Sequence, residues 1–117
     1  MDSFKGIEKI LSQKMADWYG QNMGFFPSDV TVTSEGKVFF VHFKDAVSQS
    51  EIDLSSYKAG RELLRDLMDR LSQSQFPALN EIIYELTGRK LLEVQVEVNV
   101  ALHEKIYLLT IDRPLQE

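Results

Sequence analysis

Phe4, Ile7, Leu11, Met15 and Trp18 recur at intervals of three and four residues. At about 100° per residue they fall in one narrow stripe, which predicts an amphipathic helix over residues 3–19. Asp2 or Ser3 can cap its start, and Gly20, Gly24 and Pro27 mark its end and the loop beyond. The period then changes. Val30 and Val32 alternate with Thr31 and Thr33, the pattern of a short strand. Ser34-Glu35-Gly36-Lys37 reads as a turn in which Gly36 supplies the positive φ, and Val38 to Phe43 as the returning strand of a hairpin. That strand places Phe39, Val41 and Phe43 on one face and Val38, Phe40 and His42 on the other. Either it is central and covered on both sides, or one face meets a partner.

Asp45 to Leu54 is polar and mixed and reads as a loop, after which Ser55 or Ser56 can cap the next helix. Leu63, Leu64, Leu67, Met68 and Leu71 give that helix its apolar face. Pro77 interrupts, since it cannot donate to the carbonyl of Gln73. Yet Leu79, Ile82, Ile83 and Leu86 keep the rotational phase of the earlier stripe, which favours one long helix over residues 57–87, kinked near Pro77. Two helices broken at residues 74–76 are the alternative. Gly88 reads as the glycine just past the helix end. Val94, Val96, Val98 and Val100 then alternate with Glu93, Gln95, Glu97 and Asn99, a half-buried strand. Residues 101–104 form a turn, and Lys105 to Asp112 the last strand, stopped by Pro114. The order α-β-β-α-β-β predicts a single α+β domain. Its four-stranded sheet is mainly antiparallel, with helices mainly on one face.

Composition narrows the function classes. The chain of 117 residues is 44% hydrophobic and 26% charged, as expected of one globular domain. Thirteen basic against 18 acidic residues give a net charge of −5, which argues against nucleic acid as a partner. The absence of cysteine removes disulfides, thiolate metal sites and thiol catalysis. No run approaches the length of a membrane span, and the first residues lack an apolar signal core, so the expected setting is cytoplasmic.

Candidate chemistry is sparse. His42 and His103 stand alone without metal-ligand spacing, and no serine lies in a nucleophile elbow. No glycine-rich phosphate loop is present. Glu93 and Glu97 share one strand face, which the alternation already explains as a wet face. No catalytic, metal or cofactor residue is assigned, and an enzyme is not expected. Gly24-Phe25-Phe26-Pro27 stands out, because two adjacent phenylalanines in a loop either cap the core or form a contact patch. Phe25, Phe26 and Phe40 are therefore the candidate interaction residues, with Trp18 a candidate extension. Arg61 and Arg113 are candidates to hold an anion in a pocket between sheet and helices, the site of an alternative small-ligand sensor.

Gly60-Arg61-Glu62-Leu63, Pro77, Glu85-Leu86-Thr87-Gly88, the valine-rich strand and Leu109-Thr110-Ile111-Asp112-Arg113 together resemble the MpsC-like family of short bacterial proteins. The likeness extends in weaker form to the first helix. It implies a component of a sodium-translocating, membrane-potential-generating system of the kind associated with inorganic-carbon uptake. Because members lack spanning segments, it implies an accessory or regulatory protein that reaches the inner face of the membrane through a protein partner, with no cofactor. Self-association is expected from the long helix and the apolar-rich hairpin. Family members tend towards a Gly-Arg-Gly-Pro-like turn after the first helix. Gly24-Phe25-Phe26-Pro27 departs from it, so any anion or carboxylate contact made by that arginine is altered here.

Overall fold

The structure, a computed structural model, describes residues 4–115. Its elements are α1 (Phe4–Met23), β1 (Asp29–Glu35), β2 (Val38–Lys44), α2 (Gln49–Ser55), α3 (Lys58–Thr87), β3 (Leu91–Asn99) and β4 (Glu104–Ile111). The strands form one sheet in the order β1-β2-β4-β3, every neighbouring pair antiparallel. The α+β class and the four-stranded sheet are as the sequence pattern predicts.

α1 buries Leu11, Met15, Trp18 and Tyr19 and continues four residues past its predicted end. Gly20 does not stop it. A Cβ there would lie 2.1 Å from the ring of Phe26, so this glycine admits the loop ring rather than ending the helix. The helix ends at Gly24, whose φ is +83° and whose N–H donates to the carbonyl of Gly20. The proposed caps Asp2 and Ser3 lie outside the described residues.

Most of the predicted loop over residues 45–54 is helical: α2 begins at Gln49 and runs on to Ser55. Ser48 accepts from the N–H of Glu51, while the Glu51 carboxylate accepts from the N–H of Ser48, a reciprocal capping box. Ser55 and Ser56 finish α2 instead of starting α3; their hydroxyls donate to the carbonyls of Ile52 and Asp53. The residue before α3 is the extended Tyr57, which makes no side-chain cap.

α3 is continuous through Pro77 for 30 residues, about 45 Å of helix, and it runs most of the 48 Å length of the molecule. Its buried residues Leu64, Met68, Gln75, Leu79 and Ile83 share one face, so the phase kept across Pro77 reports a single packing stripe. Gly88 ends it at φ +71°.

The strand register divides the sheet's two faces. On the inner face Phe39, Val41 and Phe43 of β2 lie opposite Leu109, Tyr107 and Lys105 of β4, and all are buried. Val96 of β3 and Val32 of β1 join the same face. Side chains of α1 and α3 reach the sheet here. The Trp18 and Tyr107 rings are 6.0 Å apart edge to face, and those of Tyr19 and Phe43 stack at 4.7 Å. The Tyr107 hydroxyl donates to Gln75 of α3 at 2.7 Å.

Candidate functional site

The outer face of the sheet is built by the alternate residues of the same strands. β2 contributes Val38, Phe40 and His42; β4 contributes Ile106, Leu108 and Thr110 in register with them. Each is partly exposed. Val38, Phe40, Ile106 and Leu108 thus form an apolar stripe along the two central strands. Exposed Thr31 and Thr33 of β1 border it on one side, and exposed Glu93, Gln95 and Glu97 of β3 on the other. At one end His42 Nδ1 lies 3.8 Å from a Glu104 oxygen. The strand is central, as one of the two sequence alternatives required, but the helix contacts described above all fall on its other face.

A second feature is a groove of about 680 Å³ between the first half of α3 and the free edge of β3. Leu64, Met68, Val96, Val98 and Val100 line its floor. Arg61, Arg65, Asp69 and Glu97 stand around it, so its charges are mixed and cancel.

The predicted site residues do not assemble into one place. Phe25 packs against the core, edge to face with Tyr19 at 5.8 Å, and Trp18 is buried. Phe26, its neighbour, is 66% exposed and lies over Gly20. Phe40 is on the outer sheet face, away from all three. Arg61 borders the groove and donates to the carbonyl of Ser55 at 3.2 Å. Arg113 follows β4, where Asp112 and Lys90 are joined through backbone and side chain just beyond the far end of α3. With Arg61 in the first turn, the helix separates the two arginines by about 40 Å, too far to share one anion.

A polar cluster beneath α2 was not singled out by pattern. Lys105 is fully buried; its Nζ lies 2.9 Å from Glu51 Oε2 and donates to the Tyr19 hydroxyl at 3.1 Å. Tyr19 in turn donates to the carbonyl of Ala46 at 2.6 Å. Burial, reinforced by Tyr107 and Glu51, pushes the Tyr19 phenol well above its ordinary range. Burial does the same to Tyr107 against the opposing effect of its bond with Gln75. The signal was present, because Lys105 is in phase with Tyr107, Leu109 and Ile111 on β4. The groups hold one another, and this gives the cluster a structural role.

The motifs that carry the family resemblance also have structural explanations. A Cβ on Gly60 would meet the Leu54 carbonyl oxygen at 2.0 Å, so this glycine lets α2 close onto α3. Thr87 donates to the carbonyl of Ile83 and accepts from the N–H of Arg89. The Arg89 guanidinium donates to the carbonyl of Pro114. Glu85-Leu86-Thr87-Gly88 and the end of β4 thus meet at one corner of the fold.

Among the described residues no helix is long and apolar enough to cross a membrane, and no group of three or more acidic or histidine side chains is placed to hold a metal. The molecule is thus a small α+β protein with a partly exposed apolar stripe on one sheet face, while its most exposed large apolar side chains, among them Phe26, Leu102 and Leu92, are scattered elsewhere. Residues 4–113 match the model of the family described as Na+-translocating membrane potential-generating system (MpsC), and the chain belongs to that family. No curated relative and no solved structure matches it.

Proposed function

We propose that this protein is a non-catalytic accessory or regulatory component of a sodium-dependent membrane transport system, acting at the cytoplasmic side through protein–protein contact. The observation that carries the reading is the open face of the sheet. Val38, Phe40, Ile106 and Leu108 keep large apolar groups partly exposed on the two central strands, on the face opposite the buried one. A contiguous apolar stripe with polar borders is the signature of a contact surface. The family supplies the setting, and the absence of a spanning helix among the described residues fits attachment through a partner.

The test is to tag the protein in its native host, solubilise gently and identify co-purifying proteins by mass spectrometry. Transport subunits are expected near stoichiometry with the wild-type chain and with Phe26→Ser, and are expected to be lost with Phe40→Asp. Recovery of the protein alone would sink the stable-subunit reading.

A further inference from the structure

Resting on that reading, we propose that the segment received by the open sheet face is a basic amphipathic helix of the partner. Its apolar side covers Val38, Phe40, Ile106 and Leu108, and its lysines or arginines meet Glu93 and Glu97. Three features of the face select this occupant. The first is shape. From Val38 to His42 the stripe runs about 13 Å and is two strands wide. Two to three turns of helix present an apolar stripe of that length. A helix laid here completes a three-layer arrangement around a sheet whose other face is already covered.

The second is charge. Glu93 and Glu97 are exposed on the outer face, opposite Thr110 and Ile106 of β4, with Gln95 opposite Leu108 between them. Glu35 stands at the end of β1 on the same face. On the basic side are Lys44 and His42, and both lie beside Glu104. The charges that the outer face itself carries along β3 are therefore carboxylates, although Glu97 also borders the groove that holds Arg61 and Arg65, and a helix with basic flanks complements them. Membrane proteins carry an excess of lysine and arginine in their cytoplasmic segments.

The third is area. Four strands of about seven residues present roughly 440 Å² in projection. The apolar stripe takes up only the two central strands of that area, about the width of one helix, so the face suits one helix better than a second copy of the chain.

The test uses the full chain and two synthetic helical peptides of equal length. Both repeat the same leucine stripe, one flanked by lysine and the other by glutamate. Fluorescence anisotropy is expected to show the lysine peptide binding at least tenfold more tightly than the glutamate peptide. Glu93→Lys with Glu97→Lys should reverse that preference, and Phe40→Asp should abolish binding. Glu62→Lys with Asp66→Lys, on an exposed part of α3, should leave it unchanged and so exclude attraction to net charge alone. Leu108→Thr, which should also weaken binding, serves as a second face variant if Phe40→Asp fails to fold by circular dichroism.

Binding of neither peptide, equal binding of both, or the same response to the control pair as to the face pair would overturn the proposal. So would a dimer dissociated by Phe40→Asp, which would make a second copy the occupant. If co-purification is lost with Phe40→Asp while the peptides show no preference, the helix inference fails and the accessory role stands.

Discussion

Tyr19 and Tyr107 are fully buried phenols facing the same interior from α1 and β4. Burial disfavours the phenolate, so both hold their protons to higher pH in the fold than in the unfolded chain. An unfolded tyrosine loses its proton near pH 10. Above that pH the unfolded state binds fewer protons than the native state, and stability falls as pH rises. Below it the contribution is fully present. Each tyrosine should cost up to about 1.4 kcal/mol per pH unit above 10 until the fold gives way. Melting temperatures measured from pH 8 to 12 should be level below 10 with respect to these groups and decline above it. Tyrosinate absorbance from the buried pair should appear together with loss of the far-ultraviolet signal. Tyr107→Phe removes one of the two groups and should make the decline shallower.

α2 is seven residues long and buries none of them fully, so apolar packing gives it little hold. Its attachment runs through Glu51, which closes the capping box with one oxygen and pairs with buried Lys105 through the other. Glu51→Gln retains a side chain suited to the capping box but leaves Lys105 without its carboxylate. Removing one partner of a buried pair costs about 3–5 kcal/mol, because the remaining charge is left uncompensated. The variant should lose stability of that order in urea unfolding, and Lys105→Met added to it should restore most of the loss. An equal loss in the single and double variants would show that the ion pair is not what holds α2.

The same helix shows where pattern reading stops. Long periodic segments were legible: the α3 stripe kept its phase through Pro77, and the valines of β3 alternated over a whole strand. Ser48 and Glu51 carried a capping signature, but α2 has only Ile52 and Leu54 as apolar residues, two apart and so not on one helical stripe, and its seven residues do not read as a helix. Period also placed Phe40 on its own face of β2. Only the strand order showed that Ile106 and Leu108 lie beside it, because β4 enters from 60 residues further along the chain. Arg61 and Arg113 failed as a pair for a related reason, since sequence gives no distance between the ends of α3.

At the scale of the whole molecule, the two faces of the sheet divide stability from contact. Adjacent residues on one strand fall on opposite sides of that division. Phe39 and Leu109 are opposite each other on the inner face and almost fully buried, whereas Phe40 and Leu108 form the next pair on the outer face and are partly exposed. Phe39→Ala opens a cavity among packed side chains and should cost about 3–5 kcal/mol, and Leu109→Ala about 2–5 kcal/mol. Phe40→Thr and Leu108→Thr keep strand-forming residues and remove side chains that are only partly buried, so each should cost less, about 1–2 kcal/mol. Urea unfolding of the four variants would measure the contrast, and co-purification would measure its mirror image. The outer pair should lose the partner while remaining folded, and the inner pair should lose the fold. If the outer substitutions destabilise as much as the inner ones, the outer stripe belongs to the core, and its exposed apolar groups no longer argue for a partner.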